Sequence, residues 1–468
     1  MRPERLVVIG GGMAAVRLVE ELVARSYAGD VTVLADEDHA PYNRILLSAV
    51  LEGTHSVGAI TLRSTDWFAE RGVDLRLGAR VLAVDRDAGD VMLVDGERVG
   101  FDRLVLATGS IPTLPPIRGL VRFDGSLHPR VHAFRSLADC QRLDAEVARL
   151  GAGARAVIVG GGLLGLQVAR ALAMRGLSTE IVEGAEHLLA SQLGEPGGRV
   201  LARDLRRLGT EVYTGARAVR MTESGLRLDN GYELSADLVV LTAGGRPSTA
   251  LARRAGLMVR RGLVVDSALR SVSDVRVHGL GDCVEHRGRT TGFVPPAWEQ
   301  AGVLADVLTG GSARYDGSRS VARLRATDLE VAVLGDPEHA PGEVVEMTNP
   351  IAGSHRRLVI DGGVIVAAAL VGDLSRVGLI TQLYDRGTVL GPDEPGQLLL
   401  AEAAATPVVL PDDVEVCACA GVSAGAIRAC ASLESCREST RATTGCGGCE
   451  GAVRRLLADA ASVPVAAG

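Results

Sequence analysis

The residues best suited to chemistry are four cysteines near the C-terminal end, arranged as two close pairs. Cys417 and Cys419 form a C-x-C pair, and Cys446 and Cys449 form a C-x2-C pair. Four thiolates suit either a [2Fe–2S] cluster or zinc. Structural zinc sites usually have two to four residues between paired cysteines, because a one-residue gap strains tetrahedral closure around one ion. The spacing therefore predicts a metal centre and favours iron–sulfur over zinc.

A second set of residues is suited to nucleotides. A glycine motif occurs twice, each time after a β-branched strand and before an amphipathic helix. Its three positions are Gly10, Gly12 and Ala15 in the first copy and Gly160, Gly162 and Gly165 in the second. Backbone N–H groups at such a helix N-terminus bind a pyrophosphate, and a Cβ would block its close approach. One motif is weak evidence, whereas two in this context predict two dinucleotide sites.

Acidic residues follow each glycine motif at the end of the next strand. In the first copy they are Asp36 and Glu37, and we expect one of them to bind a ribose. In the second copy the acid is Glu183, followed by Gly184. An acid at this place accepts hydrogen bonds from a free ribose 2′-hydroxyl and repels a 2′-phosphate, and no arginine follows immediately. The sequence therefore favours NADH over NADPH.

The elements that must position these residues are themselves repeated. Strand, helix and strand are predicted at residues 6–9, 16–24 and 31–34, and again at 156–159, 166–174 and 179–182. Each set is a βαβ unit. Residues 104–109 also have a counterpart at residues 239–244. Two nucleotide-binding domains of common ancestry are the simplest account.

Beyond Gly310 the character of the sequence changes. Short strands are predicted at residues 331–334, 344–347, 357–360 and 364–371, and an apolar helix near residues 379–384. Turns rich in Gly, Asp and Pro separate them, which predicts a small α+β domain. A stretch rich in Pro, Ala and acids follows and predicts a linker before the cysteine pairs.

Composition excludes several classes of function. The chain has 468 residues, of which 47% are hydrophobic and 23% charged, so sizeable cores can form. The net charge is −7 and no basic run exists, so neither nucleic acid nor an anionic membrane is an expected partner. The first strand leaves no room for a signal peptide, and the apolar stretch at residues 364–371 is too short to cross a bilayer. We expect a soluble, cytoplasmic protein whose cysteines are metal ligands or core residues.

The order of the segments resembles the flavoprotein family with two dinucleotide-binding domains, which includes ferredoxin and rubredoxin reductases. A Gly-Leu-Gly-Asp segment ends at Asp282, and the resemblance implies that Asp282 contacts the ribityl and phosphate part of FAD. It also implies that Thr108 and Gly109 lie near the FAD adenine and Trp298 near the flavin ring. Without the family, Asp282 is equally explained as a helix cap and Trp298 as a core aromatic.

The segment at residues 41–48, Pro-Tyr-Asn-Arg-Ile-Leu-Leu-Ser, resembles the flavoprotein halves of NADH-dependent nitrite and nitrate reductases. The resemblance implies that Arg44 contributes to the cofactor site. Oxygenase-type ferredoxin reductases usually carry a lysine and a glutamate where this chain has Ala49 and Gln167, which weakens that alternative unless both are neutral surface exchanges. Disulfide reductases carry a redox cysteine after the first βαβ unit. Here no cysteine precedes Cys140, so a disulfide substrate is not expected.

The two cysteine pairs resemble those of the bacterioferritin-associated-ferredoxin-type [2Fe–2S] domain, which also occurs in nitrite and nitrate reductase flavoproteins. The resemblance implies that Cys417, Cys419, Cys446 and Cys449 hold a [2Fe–2S] cluster, with zinc as the alternative. Helices predicted at residues 424–429, 433–441 and 451–459 fit the helical build of that domain. The stretch between the pairs is several residues shorter than usual, near residues 431–432. The other four cysteines are expected to be structural.

These observations predict an α/β protein with two Rossmann-like dinucleotide-binding domains, a small α+β domain and a C-terminal helical [2Fe–2S] module. The FAD-binding domain is placed at residues 1–114 and 244–312, and the NAD-binding domain at residues 115–243. The small α+β domain is placed at residues 313–392, the linker at 393–415 and the [2Fe–2S] domain at 416–462.

The resemblance implies an electron-transfer flavoprotein that oxidises NADH through FAD and a [2Fe–2S] cluster. Its acceptor would be a protein, foremost the molybdenum catalytic subunit of an assimilatory nitrate reductase, and a homodimer is compatible with this role. No catalytic acid or base is expected, because hydride transfer is cofactor chemistry. The chain ends at Gly468 without a sirohaem-binding region, so we expect no nitrite reduction. Two alternatives stay open: a rubredoxin or ferredoxin reductase, and a reductase whose cluster is a sensor or docking element.

Overall fold

The first glycine-motif repeat folds into a largely parallel sheet of eight strands. The structure, a computed structural model, describes residues 2–400, 410–417, 420–445 and 449–462. The last four residues of the central strand Arg5–Ile9 are apolar and buried, as in parallel sheets covered on both faces. The strands are, in order across the sheet, Val284–His286, Leu263–Val265, Arg270–Ser271, Asp274–Gly279, Arg103–Leu106, Arg5–Ile9, Asp30–Leu34 and Val73–Arg76.

The second repeat folds into a parallel sheet of five strands. These are, in order, Thr210–Tyr213, Ser178–Val182, Arg155–Val159, Leu238–Leu241 and Val131–Ala133. In the first sheet Ile9 pairs with both Leu34 and Leu106, and the second sheet repeats this register. The carboxyl ends of three strands therefore meet at each glycine turn.

We call the eight-stranded sheet with its helices the first unit, and the five-stranded sheet with its helices the second unit. The two units also share a smaller sheet. Each unit carries a three-stranded antiparallel sheet, formed by Val81–Asp85, Asp90–Leu93 and Arg98–Gly100 in the first and by Ala218–Met221, Gly225–Leu228 and Glu233–Ser235 in the second. The strand Ser110–Pro112 pairs antiparallel with the strand Gly245–Pro247. Each of these strands directly follows one of the two similar segments at 104–109 and 239–244. This pairing joins the two units.

Helices begin directly at both glycine turns. They span Met13–Ala24 and Leu163–Met174, and so start earlier than the predicted positions 16 and 166. The further helices of these units are Leu47–Glu52, Val57–Ile60, Thr65–Ala69, Leu137–Leu150, Glu195–Arg207, Ala250–Arg254 and Val294–Leu308, with single 3-10 turns at Arg44–Leu46 and Gly281–Cys283.

The small domain is an antiparallel sheet of five strands, and the helix Val377–Arg386 packs on it. The strands are, in order, Val321–Ala326, Leu329–Leu334, Val364–Val371, Ser354–Asp361 and Glu343–Asn349. The strand Val321–Ala326 was not predicted. Its Ala322 and Leu324 are nevertheless buried and alternate with arginines, which is the period of a half-buried strand.

The stretch predicted as a linker begins with a helix, Glu394–Leu399, that packs against the small domain. Leu398 and Leu399 are buried there, and the Arg356 guanidinium donates to the Leu399 carbonyl oxygen. The cysteine module follows as the strands Glu415–Cys417 and Val422–Ser423 and the helices Ala424–Arg428, Leu433–Thr440 and Glu450–Ser462. The module has an apolar core of its own. Within the described ranges, no helix combines the length and the apolar content needed to cross a membrane.

Candidate functional site

The first glycine turn leaves an open space at a helix N-terminus. Gly10 has a φ of +118°, and a Cβ there would come within 2.3 Å of the Ala107 carbonyl oxygen. A Cβ built on Gly12 would meet nothing within 4 Å. The helix Met13–Ala24 has no side-chain cap and no acid in its first turn, so its first N–H groups suit an anion. This cradle fits the pyrophosphate of a dinucleotide.

The second glycine turn has the same build and tighter packing. Gly160 has a φ of +120°, and Gly162 again opens on empty space. At Gly165, a Cβ would lie 1.9 Å from the Gly160 carbonyl oxygen, so only glycine lets the helix approach the strand this closely. The first turn holds Ala15 at the corresponding position. The second cradle therefore also fits a dinucleotide.

Thr108, Gly109 and Asp282 lie together at the carboxyl ends of central strands of the first sheet. The Ser110 hydroxyl, next in the chain to Gly109, donates to Asp282 Oδ2 over 2.8 Å. The Arg135 guanidinium donates to the same oxygen over 2.9 Å. The predicted FAD-contacting residues are thus assembled in one place, where a hydroxyl and a cation hold the carboxylate.

The helix Val294–Leu308 carries the predicted flavin neighbour Trp298 and, two residues further on, Gln300. Gln300 Oε1 accepts the Gly281 N–H over 2.7 Å and so supports the turn that carries Asp282. Trp298 packs instead near the Arg17 guanidinium, which lies 5.9 Å from the centre of its ring. Residues two apart on a helix do not face the same way. The contact of Trp298 with the flavin ring stays a prediction.

The two acids after the first glycine turn have different surroundings. Glu37 accepts a hydrogen bond from the Tyr42 hydroxyl over 2.6 Å and a second from the Arg44 guanidinium. The Asp36 side chain is exposed, with Arg80 3.9 Å away. Of the two carboxylates, that of Asp36 is the more exposed, and ribose binding by either stays a prediction. Arg44, predicted to bind cofactor, is engaged by Glu37 and lies over the Tyr42 ring.

Tyr42 connects the first unit to the second. Its side chain is buried, and its hydroxyl accepts the Leu137 N–H over 2.8 Å at the start of the helix Leu137–Leu150. Burial, together with the Glu37 carboxylate, raises the pKa of Tyr42, so its hydroxyl stays protonated and donates to Glu37.

We expect Tyr42→Phe to lower the free energy of unfolding by about 1–3 kcal/mol, because the Leu137 N–H and the Glu37 carboxylate lose a buried partner. Thermal and denaturant unfolding of the purified protein measure the change. The matched control is Tyr232→Phe, because Tyr232 is exposed and should change the same quantity by less than about 0.5 kcal/mol. Equal losses in both variants would show that the Tyr42 hydroxyl does not stabilise this junction.

The acid after the second glycine turn has a cation beside it. Glu183 accepts the Gly161 N–H over 2.6 Å and the Ala185 N–H over 2.7 Å. A Cβ on the adjacent Gly184 would come within 3.2 Å of Arg217 Nε, so the Arg217 side chain lies on this glycine. Arg217 comes from a separate loop, so the residues that follow Glu183 in the chain do not reveal the guanidinium beside it.

Two of the four predicted metal ligands lie in one apolar core. Cys417 ends the strand Glu415–Cys417 and is 2% exposed, and Cys449 precedes the helix Glu450–Ser462 and is 9% exposed. Cys419 and Cys446 lie outside the described residues. Within the described ranges, no group of three metal-ligating side chains is found. Two buried thiols from opposite ends of the module fit a centre held by four cysteines.

The remaining cysteines are buried or half-buried. The Cys140 thiol donates to the Leu47 carbonyl oxygen over 3.4 Å, and burial raises its pKa to about 12. Burial also raises the pKa values of Cys283 and Cys436. Cys430 is half-buried within the cysteine module. A thiol with a raised pKa is a poor nucleophile, so neither Cys140 nor Cys283 suits disulfide exchange.

The cysteine module contacts the first unit at the segment 41–48. The side-chain amide of Asn43 donates to the Thr444 carbonyl oxygen and, over 2.8 Å, to that of Gly445. Gly445 directly precedes the predicted ligand Cys446. The backbone that leads into the second cysteine pair is therefore bonded to the unit with the first glycine turn.

A buried arginine lies beside the same loop. Arg437 Nε donates to Thr443 Oγ1 over 3.1 Å, and the carboxylates of Glu434 and Glu450 lie 3.7 Å and 3.6 Å from its guanidinium. Burial lowers the pKa of Arg437. The charge of Arg437 is offset by these two carboxylates, so this group of charges adds no net positive charge beside the predicted cluster.

The residues that sequence reasoning missed are those that hold the predicted ones in place. Ser110 adjoins the Thr108–Gly109 segment, so its proximity to Asp282 was accessible from the sequence. Gln300 ends the stretch 293–300 that resembles the flavin-ring segment of the family, but its bond to the Gly281 turn was not predicted. Arg135 and Arg217 come from distant segments, and no local pattern marks them. Asn43 lies in a recognised segment, yet its partner Thr444 is 401 positions away in the chain.

A known family matches the part of the chain that contains most of the residues described above. The family model described as pyridine nucleotide-disulphide oxidoreductase matches residues 4–301. That range contains both glycine turns and the Asp282 turn. The cysteine module lies beyond it.

The chain is 33% identical to the NAD(P)H nitrite reductase of Bacillus subtilis (strain 168), over 98% of this chain and 58% of that protein. It is 29% identical to the assimilatory nitrate reductase electron transfer subunit of the same organism, over 98% of this chain and 60% of that protein. The chain thus spans about three fifths of these relatives. Among solved structures, the covalent putidaredoxin reductase–putidaredoxin complex matches 85% of this chain and 96% of that chain, with a TM-score of 0.76 and 25% identity.

Proposed function

The chain belongs to the pyridine nucleotide-disulphide oxidoreductase family, and we propose that it is the NADH-oxidising, electron-transferring component of a two-protein system. FAD would occupy the first glycine turn and NADH the second. A [2Fe–2S] cluster would be held by Cys417, Cys419, Cys446 and Cys449. When bound, FAD would accept a hydride from NADH, and the cluster would supply one-electron transfer to a protein acceptor.

The protein's own residues bind and orient in this proposal. The helix N-termini at Gly12 and Gly162 would bind the two pyrophosphates. Asp282, held by Ser110 and Arg135, would orient the ribityl chain of FAD. No side chain is required to move a proton in the hydride step.

The observation that carries the proposal is the contact between the cysteine module and the first unit. The loop before Cys446 is bonded to Asn43, so a metal centre in this module would adjoin the unit assigned to FAD. Cys140 and Cys283 are both buried with raised pKa values, so neither offers electrons another exit. These features support the cysteine module as the electron outlet.

As the acceptor we propose the molybdenum catalytic subunit of an assimilatory nitrate reductase. The match to an assimilatory nitrate reductase electron transfer subunit over 98% of this chain supports it. A cytoplasmic location and a homodimer belong to the same proposal.

Visible and EPR spectra of the purified protein, before and after NADH, test the cofactors. We expect a flavin band and an iron–sulfur band, then flavin bleaching and the EPR signal of a reduced [2Fe–2S] cluster. Bound zinc without an EPR signal would contradict the cluster. NADH-dependent nitrate reduction by this chain mixed with the molybdenum subunit, compared with its reduction of rubredoxin and ferredoxin, tests the acceptor.

We expect Arg217→Ala to lower kcat/KM for NADPH by about tenfold and to leave the value for NADH nearly unchanged. A guanidinium on Gly184 attracts a 2′-phosphate, which NADPH alone carries, whereas Glu183 favours the free hydroxyl of NADH. Initial rates with an artificial acceptor measure both coenzymes. The control is Arg227→Ala, an arginine of the same unit that pairs with Glu233. An equal loss of kcat/KM with both coenzymes would show that Arg217 does not contact the 2′-phosphate of NADPH.

A further inference from the structure

Asn43 is fully buried between the first unit and the cysteine module, with an exposed fraction of 0%. Its Oδ1 accepts the Ile45 N–H over 3.1 Å at the start of the 3-10 turn Arg44–Leu46. Its Nδ2 donates to the carbonyl oxygens of Thr444 and Gly445. The amide oxygen therefore bonds to its own segment, and the amide nitrogen bonds to residues 444–445, which we call the cysteine loop.

A neutral amide is well suited to this position. Two carbonyl oxygens, one of buried Thr444 and one of half-buried Gly445, need donors, and the asparagine side chain provides two N–H groups together with one acceptor. Leaving such carbonyls without partners costs about 1–3 kcal/mol each. Because Thr444 and Gly445 directly precede Cys446, the bonds from Asn43 fix the backbone that carries this predicted ligand.

Two further contacts between the cysteine module and the first unit lie near this one. The helix Leu433–Thr440 contacts the helix Val57–Ile60. Arg441 lies near Arg63 and Glu20 of the first unit. Burial and, to a smaller extent, the positive charge of Arg63 lower the pKa of Arg441, whereas the negative charge of Glu20 raises it. These contacts place the module on the first unit, whereas Asn43 bonds to the loop itself.

We propose that Asn43 is a positioning residue, which holds the Cys446 loop on the FAD-binding unit so that electrons reach the metal centre. The hold on the loop is a property of the polypeptide alone. The consequence for electron transfer rests on the proposed function.

Asn43→Asp separates the two tasks of the side chain. Aspartate keeps the acceptor for the Ile45 N–H but removes both donors, and it sets a carboxylate against two carbonyl oxygens. The matched control is Asn230→Asp, because the Oδ1 of exposed Asn230 accepts the Tyr232 N–H over 3.0 Å in an ordinary turn. Asn43→Ala, which removes both donors and also the acceptor for the Ile45 N–H without adding charge, serves if the aspartate variant does not fold.

Hydrogen–deuterium exchange of residues 436–445 measures the hold directly. We expect exchange to rise by about tenfold or more in Asn43→Asp, and to stay at the wild-type level in Asn230→Asp. In rapid mixing with NADH, the flavin should bleach at the wild-type rate. The following reduction of the cluster should slow by about tenfold.

Unchanged exchange in the Asn43 variants would overturn the proposed hold. Faster exchange with unchanged cluster reduction would overturn the proposed need for it in electron transfer. If the wild-type protein contains no cluster, the proposed function fails, while exchange still decides whether Asn43 holds the loop.

Discussion

Cys417→Ser is expected to give a protein whose flavin is still bleached by NADH but whose reduction of the protein acceptor falls by at least about a hundredfold. Replacing even a neighbour of a metal ligand typically costs 10–100-fold, and Cys417 is itself a predicted ligand. Its thiol is buried in the core of the cysteine module, where a serine oxygen is a much poorer ligand for iron. The first glycine turn lies in a separate core, so the NADH reaction should persist.

Iron content, the EPR signal and acceptor reduction should fall together in Cys417→Ser. The matched control is Cys430→Ser, a half-buried cysteine of the same module that is not a predicted ligand. It should retain its iron and its activity. Acceptor reduction that survives loss of the iron would favour a sensor or docking role for the module. Equal loss of iron in both variants would show that the module tolerates no cysteine replacement, and the ligand assignment would then lack support.

The features that could be predicted from the sequence are those encoded locally. Strand, glycine turn and helix are consecutive in the chain, so the two parallel sheets follow from the repeats at Gly10 and Gly160. The strand Val321–Ala326 was equally local and went unpredicted, although Ala322 and Leu324 alternate with Arg323 and Arg325 in the period of a half-buried strand.

The features that could not be predicted are contacts between residues far apart in the chain, which depend on the side of each helix or loop that packs against another segment. Helical spacing does not say that Gln300 faces the Asp282 turn while Trp298 faces Arg17. Likewise, the absence of an arginine after Glu183 says nothing about Arg217, which reaches Gly184 from another loop. Contacts between remote segments depend on tertiary packing, which one sequence does not reveal.

Gly165→Ala is expected to lower the rate of flavin bleaching at subsaturating NADH by about tenfold or more, while FAD stays bound. The added Cβ would lie 1.9 Å from the Gly160 carbonyl oxygen and 2.9 Å from Thr242 Oγ1, so the helix Leu163–Met174 must move away from the strand. Overpacking of this kind costs about 1–3 kcal/mol, and about 1.4 kcal/mol is tenfold in binding. The first glycine turn, with Ala15 at the same position, is untouched.

The matched control for Gly165→Ala is Gly378→Ala, because a Cβ on Gly378 would meet nothing within 4 Å. Gly378 lies in the helix Val377–Arg386 of the small domain, where alanine should raise stability by about 0.5–1 kcal/mol. Rapid mixing over a range of NADH concentrations separates a weaker Kd from a slower hydride step. Since the displaced element is the helix N-terminus that would bind the pyrophosphate, the loss should appear in Kd. Loss of FAD with unchanged NADH binding would instead exchange the assignments of the two glycine turns.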